Sequence, residues 1–431
     1  MKKFYIKTFG CQMNVYDSRL ISDLLEEKGL SAVDDMNNAD VIVINTCAVR
    51  QLAENKAASE LGRCKKLKKK NPDLIIAFVG CVAQKDGANI LKRFPYIDLV
   101  MGTKDMYRLP QLLDDIKIKG PILLTNIAQK TGNFRSNKAD GVIGYVTVIR
   151  GCANFCSYCI VPHVRGKEES RSIKEIIKES KTLVDTGVKE IMFLGQNINA
   201  FGMDTGERLE DLLEQADKIN GLERLRIMTS HPKSVTKNFI QSMADIPKAC
   251  EHIHMPFQSG SDKILKEMNR KYTRGEYIDK VAMIRKIIPN CAITVDIIVG
   301  YPNETERDFE ETLDLVRLCR FDSAFTFKYS PRQGTKAYKL KDNVSKEIKE
   351  ARLAELNDLC REVAKKKNNE YVGQDVQVMW ESVKKTNQGK FLLGKTRSFK
   401  QVFAPYKRRS PGKLEIVHIS SATPFALRCD L

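Results

Sequence analysis

The sequence predicts an α/β protein in three parts: an amino-terminal parallel α/β sheet domain over residues 1–127, a central incomplete (β/α)6 barrel over 138–370, and a carboxy-terminal small β-barrel over 371–431. Three observations predict it. Continuous apolar runs alternate with helical stretches in two separate series, the pattern of parallel strands covered on both faces. A polar stretch of weak patterning parts the two series. Beyond Tyr371 the helical period gives way to short strands and turns. A chain of 431 residues also exceeds one ordinary core, so two or three domains are expected.

In the first series Phe4–Phe9 reads as a strand, Tyr16–Glu27 as an amphipathic helix, and Val41–Ile44 as a buried strand. A helix from about Ala53 to Lys69 leads to a further apolar strand, Leu74–Val79. Ala128–Asp140, which contains Lys130, Gly132, Asn133, Ser136 and Asn137, reads as a linker. The second series places strands at Tyr145–Ile149, Glu190–Leu194, Leu225–Met228, His252–Met255, Ala292–Val299 and Ala324–Lys328. Ser172 with Glu175 has the spacing of a capping box opening one intervening helix, and Gly187 ends it. Six strands fall short of the eight of a closed (β/α)8 barrel. Ser345–Asn369 reads as a long helix with Ile348, Arg352, Leu356, Leu359 and Val363 along one side. Strands then follow at Val376–Trp380, Phe391–Leu393, Gln401–Phe403 and Leu414–Ile419.

Lys and Arg exceed Asp and Glu by 18 charges, a field that favours a polyanion, with nucleic acid the leading candidate. The surplus is disproportionate in the last segment, where Tyr371–Leu431 carries 11 Lys/Arg against 4 Asp/Glu. The basic run Arg63–Lys70 fits either phosphate contact or a solvated helix face. No apolar run approaches the roughly 18 residues of a membrane span. The basic start Met1-Lys2-Lys3 leads into an apolar stretch too short for a signal peptide, so a cytoplasmic location is expected. In that compartment thiols stay reduced, and the 12 cysteines are to be tested first as metal ligands or catalytic groups.

Arg150-Gly151-Cys152-Ala153-Asn154-Phe155-Cys156-Ser157-Tyr158-Cys159 follows directly on the first strand of the second series. It puts three thiolates on one short loop at the carboxyl end of a barrel strand, where barrel enzymes place their chemistry. Thiolates are soft ligands for zinc or iron–sulfur clusters. Structural zinc takes four protein ligands, commonly two separated pairs, and here no second pair follows, with His163 the one nearby nitrogen donor. Three ligands on a four-iron cluster leave one iron open. A second set is spread along the chain: Cys11, Cys47 and Cys81 each stand just after one of the first three parallel strands. Open parallel sheets bind ligands at those ends, and Gly10, Thr46 and Gly80 are small enough to let an inorganic core approach. Cys64, Cys319 and Cys360 fall within helical patterns and Cys250, Cys291 and Cys429 near strand ends, none at ligand spacing, and read as ordinary thiols.

With these residues in view, the chain resembles the methylthiotransferase family of radical S-adenosylmethionine enzymes over nearly its whole length. Cys152-x-x-x-Cys156-x-x-Cys159 matches the cluster motif of the superfamily. Gly10-Cys11-Gln12-Met13-Asn14, Asn45-Thr46-Cys47 and Gly80-Cys81-Val82-Ala83-Gln84 match the family's amino-terminal domain, and the last sixty residues are similar to the RNA-binding TRAM barrel. Leu194-Gly195-Gln196-Asn197, Ser230-His231-Pro232, Met255–Asp262, Asp296–Pro302 and Phe321–Phe327 look most like the branch that acts on N6-isopentenyladenosine beside the tRNA anticodon. Two positions depart from the usual tail: Lys395 in Gly394-Lys395-Thr396, where arginine is usual, and Cys429, where glycine is usual.

The resemblance implies two 4Fe-4S clusters, the first on Cys152, Cys156 and Cys159 and the second on Cys11, Cys47 and Cys81. It implies S-adenosylmethionine as cofactor, with Gly195, Gln196, Ser230, Gln258 and Arg270 as candidate contacts and Arg270 suited to the cofactor's carboxylate. A sulfur carried on the second cluster and two S-adenosylmethionine per turnover yield a methylthio group at C2 of the adenine. The implied partners are tRNA at its anticodon loop, a low-potential electron donor and a sulfur donor. His231, His252 and His254 are expected as hydrogen-bonded wall residues. Threonylcarbamoyladenosine in tRNA or a ribosomal protein are the alternative substrates, and a non-catalytic RNA-binding protein with structural clusters is the alternative outside the enzymes.

Overall fold

The computed structural model describes residues 2–49, 51–127, 135–139, 141–386, 389–406 and 410–430. By internal contacts the chain forms two compact units. One comprises Met1–Lys138, Tyr145–Phe155 and Cys159–Arg171, the other Ala139–Gly144, Cys156–Tyr158 and Ser172–Leu431.

The first unit opens with β1 (Lys3–Thr8), α1 (Gln12–Glu27), β2 (Ser31–Ala32), β3 (Val41–Thr46), α2 (Gln51–Lys70), β4 (Ile75–Gly80), α3 (Cys81–Arg93), β5 (Leu99–Met101), α4 (Leu109–Lys119) and β6 (Ile122–Leu124). Its strands form one parallel sheet in the order β2-β1-β3-β4-β5-β6. All twelve residues of β3 and β4 are buried, because strand alternation sends apolar side chains to both covered faces. Ile42, Ile44, Ile76 and Phe78 join Leu61 of α2 and Val82 of α3 on one side. Val41, Val43, Ile75 and Ala77 join Ile21 and Leu25 of α1 and Leu109 of α4 on the other. At about 1.5–3 kcal/mol per buried large aliphatic or aromatic side chain, these two layers dominate the unit's stability.

Of the expected linker, residues 128–134 and Asp140 lie outside the described residues. The rest departs from the expectation of a free connector: Ser136 is buried, and its hydroxyl and the Asn137 amide both donate to Asp23 of α1 at 2.8 Å.

The second series runs through β7 (Ile143–Thr147), β8 (Ile149–Arg150), α5 (Val161–Arg165), β9 (Glu169–Ser170), α6 (Ile173–Asp185), β10 (Glu190–Leu194), α7 (Leu209–Asp217), β11 (Arg224–Met228), α8 (Lys237–Asp245), β12 (His252–His254), α9 (Asp262–Glu267), α10 (Arg274–Ile287), β13 (Ala292–Val299), α11 (Glu306–Cys319), β14 (Ser323–Lys328) and α12 (Lys346–Asn369). The Ser172 side chain caps α6 by accepting from the Glu175 amide, and the chain leaves the helix through Gly187 at φ +101°. In the second unit the barrel wall consists of the paired strands β10-β11 and the sheet β12-β13-β14, bridged at Leu225–Ala249 and by the Ser230 amide donating to the His254 carbonyl at 2.9 Å. On α12 the expected buried face holds for Arg352, Leu356 and Val363, whereas Ile348 is exposed. Lys349 is buried in its place, because its ammonium pairs with Asp342 at 2.5 Å.

The tail forms β15 (Asp375–Thr386), β16 (Gly389–Thr396), β17 (Gln401–Pro405), β18 (Leu414–Ala422) and β19 (Leu427–Cys429), closed as β15-β16-β17-β19-β18 around Val378, Trp380, Leu392, Val402 and Ile419. It belongs to the same unit as the wall of the parallel barrel. Arg224 donates to the carbonyls of Lys395 (2.7 Å) and Gln377 (3.2 Å), and Arg226 to that of Arg397 (2.9 Å). Arg397 in turn forks onto Glu251 at 2.7–2.9 Å, and Phe399 stacks on His252 with ring centroids 4.5 Å apart. Among the described residues no helix is long and apolar enough to cross a membrane.

Candidate functional site

Parallel strands end their chains on one edge, and β1, β3 and β4 each deliver a cysteine there: Cys11, Cys47 and Cys81. Cys47 and Cys81 are buried and Cys11 is exposed. The turns carrying them leave no room for side chains. A Cβ on Gly10, whose φ is +127°, falls 2.4 Å from Cys47 Cβ, and one on Gly80, at φ +99°, falls 2.5 Å from Asn45 Oδ1.

A buried polar network underlies the three thiols. Asn14 Oδ1 accepts from Cys11 Sγ at 3.6 Å, and Asn45 Nδ2 donates to the Asn14 carbonyl and Ser18 Oγ, both at 2.9 Å. Asp17, fully buried, takes Arg150 Nη1 on one oxygen and Arg165 Nη2 on the other, each at 2.8 Å. Burial alone raises the Asp17 carboxyl, and the two guanidiniums outweigh it and hold the group below its ordinary value. Arg165 shows the converse balance: burial pulls it down, while the charges of Cys81, Asp17 and Cys11 hold it above its ordinary value. Its Nη1 is buried and has no hydrogen-bond partner among the described residues.

Cys11 and Cys47 titrate as a pair. The hydrogen bond from Cys47 lowers Cys11 to about 6, and the same contact, with burial, pushes Cys47 up. The pair thus loses its first proton readily and its second with difficulty. Burial likewise raises Cys81.

The Cys152–Cys159 loop sits past the end of β8. In the first unit Gly151 stands at φ +79° with room for no Cβ, 1.9 Å from the Lys167 carbonyl, and Asn154 Nδ2 donates to Cys152 Sγ at 3.3 Å. In the second unit Arg270 Nη1 donates to Cys156 Sγ at 3.5 Å, and the Ser157 hydroxyl bonds Tyr301 Oη at 2.8 Å. Among the described residues no three His, Cys, Asp or Glu side chains converge as ligands of a single metal ion. A four-iron cluster is a larger body held from its corners, so neither triad needs to converge on one point.

The candidate cofactor contacts lie beyond strand ends of the parallel barrel. Gly195 and Gln196 follow β10, and Ser230 lies two residues past β11 after Thr229, a β-branched residue at φ +74°. Gln258, also left-handed at φ +70°, holds β13 through its own backbone, accepting from the Ile298 amide at 2.9 Å. Arg270 is oriented by protein groups, with Nε on Tyr272 Oη at 3.1 Å, Nη2 on the Pro256 carbonyl at 2.7 Å and Nη1 on Cys156 Sγ at 3.5 Å.

The three histidines line the wall. His252 Nε2 and His254 Nδ1 share Thr294 Oγ1 at 2.8 and 3.0 Å, and His231 Nδ1 accepts from the Lys233 amide at 3.2 Å. Burial, aided by Arg270 and Lys233, lowers His231 to about 2 and keeps it neutral. Burial raises the thiols of Cys64 and Cys360 to about 12 and those of Cys250 and Cys319 to about 11.

Sequence reasoning missed Asp17, Arg150 and Arg165. A signal existed for Asp17: with Asn14 it lies at i, i+3 on the helix that begins beside Cys11, hence on one face.

Known proteins bear on this arrangement. The model of the Uncharacterized protein family UPF0004 matches residues 3–102, and that of the Radical SAM superfamily matches residues 146–316. The chain is 45% identical over 433 residues to the tRNA-2-methylthio-N(6)-dimethylallyladenosine synthase of Clostridium botulinum (strain Loch Maree / Type A3), covering 99% of this chain and 96% of the relative. The synthase of the same name from Moorella thermoacetica is 43% identical over 439 residues, covering 100% of this chain and 98% of the relative. Among solved structures, the radical S-adenosylmethionine methyltransferase TsrM from Kitasatospora setae superposes with a TM-score of 0.59 at 14% identity, over 76% of this chain and 75% of that one, a likeness of fold. With the triad loop, the parallel sheet and the full-length identity together, the chain belongs to the methylthiotransferase family of radical S-adenosylmethionine enzymes.

Proposed function

We propose that the chain transfers a methylthio group to C2 of N6-isopentenyladenosine beside the anticodon of tRNA, consuming two S-adenosylmethionine per turnover and drawing sulfur held at a second 4Fe-4S cluster. The observation that carries the reading is the delivery of Cys11, Cys47 and Cys81 to one sheet edge over a buried, incompletely partnered arginine. The residues there fit an anionic inorganic group: three thiols, glycine turns too tight for a Cβ, and a buried guanidinium nitrogen with no partner among the described residues. Cys152, Cys156 and Cys159 are the proposed holders of the first cluster. When bound, the clusters supply one-electron chemistry and a place for sulfur.

The protein's own share is positioning and exclusion of water. Arg270 is fixed by Tyr272 and Pro256 with its Nη1 on Cys156, so the cation stands ready beside that thiolate without reorganising. Gly195, Gln196, Ser230, Gln258 and Arg270 form the proposed cofactor wall. His231 stays neutral beside Arg270, so no second cation crowds the site. A base in a loop leaves its stack at lower cost than one in a duplex, which favours an anticodon-loop target. The net charge of +18 supports a tRNA partner, and a cytoplasmic location, an external reductant and a sulfur donor complete the proposal.

Anaerobic incubation of the reconstituted protein with S-adenosylmethionine, reductant and isopentenylated tRNA tests this. The reading expects 5′-deoxyadenosine and the 2-methylthio nucleoside together. Release of neither favours a binding protein, and 5′-deoxyadenosine formed only with a threonylcarbamoylated tRNA or a ribosomal protein moves the substrate.

A further inference from the structure

Arg165 is more than the counter-ion of Asp17. Asp17 already has Arg150 at 2.8 Å, so the second guanidinium at 2.8 Å leaves one positive charge in surplus in a buried network. Uncompensated buried charge is costly unless an anion meets it. Arg165 is oriented by Nη2, which donates to both Asp17 Oδ2 and Asn14 Oδ1 (3.2 Å), and Asn14 Oδ1 also accepts from Cys11. That fork leaves Nη1 buried with no partner among the described residues. The thiols of Cys81 and Cys11 are among the titratable groups beside Arg165.

We propose that Arg165 is the positioning residue of the second cluster, donating through Nη1 to sulfur on its Cys81 side and balancing its negative charge. The inference rests on the reading that Cys11, Cys47 and Cys81 hold that cluster. A cation and a hydrogen bond to sulfur both stabilise the more negative, reduced form and so raise a cluster's potential. Asp17 and Asn14 serve as the brace that fixes the fork. Arg150 acts only through Asp17.

The test uses the full chain carrying Cys152→Ala, Cys156→Ala and Cys159→Ala, reconstituted anaerobically so that the second cluster stands alone. Iron content and the midpoint potential, followed by electron paramagnetic resonance, are measured for this parent and for Arg165→Met, Arg165→Lys and Arg150→Met added to it. A parent without iron defeats the functional reading itself. With about four irons in the parent, the proposal expects Arg165→Met to move the potential to more negative values, Arg165→Lys to move it less, and Arg150→Met to move it least. An unchanged potential in iron-loaded Arg165→Met overturns the proposal, as does an equal shift in Arg150→Met. If Arg165→Met takes up no iron, Arg165→Lys decides: an unshifted potential there, with full iron, overturns the hydrogen bond.

Discussion

Arg270 Nη1 donates to Cys156 Sγ at 3.5 Å, and every other nitrogen of that guanidinium is tied to the protein, on Tyr272 and on the Pro256 carbonyl. The guanidinium is therefore held by protein groups with Nη1 aimed at one thiol. Arg270→Lys keeps the charge and loses the fork, and groups braced behind metal ligands typically contribute 10–100-fold. The rate of 5′-deoxyadenosine formation is expected to fall about 10-fold or more in this variant at unchanged iron content. A wild-type rate shows that Arg270 is packing alone.

The two triads predict separable iron. Reconstituted protein is expected to bind about eight irons, and either triple change to alanine, at Cys11/Cys47/Cys81 or at Cys152/Cys156/Cys159, to leave about four. Iron and sulfide assays decide it, and a wild-type limit of four removes the second cluster.

Glu304 accepts from the Gly300 amide at 2.8 Å and from Arg352 at 2.9 Å, yet burial outweighs both and raises its carboxyl to about 7. A raised acid binds its proton more tightly folded than unfolded, so stability falls as pH rises from about 4.5 to about 7 and is level above that. At 1.36 kcal/mol per unit the loss is at most about 3 kcal/mol. Thermal unfolding of Glu304→Gln against wild type between pH 5 and 8 reads it: the wild-type curve is expected to drop across this range relative to the variant. Parallel curves contradict the assignment.

Arg226 and Glu190 form a fully buried ion pair at 2.8 Å, and Arg226 also holds the Arg397 carbonyl of the tail. Removing one partner of such a pair costs about 3–5 kcal/mol. Arg226→Leu is expected to lower stability by that amount in urea unfolding and to open the chain to protease around Tyr371. Retained protease resistance shows that the tail is held by other contacts.

The strands Glu190–Leu194 and Ala292–Val299 stand where their apolar runs placed them, because a strand buried on both faces writes itself as a continuous run. The three-residue strands β5 and β6 were not legible, being too short to carry a period. Lys349 in place of Ile348 shows the limit of periodicity: an ammonium is buried when a distant carboxylate, here Asp342, meets it. The site divides the same way. The six cysteines were legible from spacing and strand ends. Arg150, Arg165, Arg224 and Arg226 were not, since an arginine reads as surface until its partner, far off in sequence, is known.

The most direct test of the central claim is mass analysis of tRNA nucleosides from a strain lacking this gene. The account predicts loss of 2-methylthio-N6-isopentenyladenosine with accumulation of N6-isopentenyladenosine, restored by the wild-type gene and by neither triple-cysteine variant. Persistence of the methylthio nucleoside in the deletion strain contradicts it.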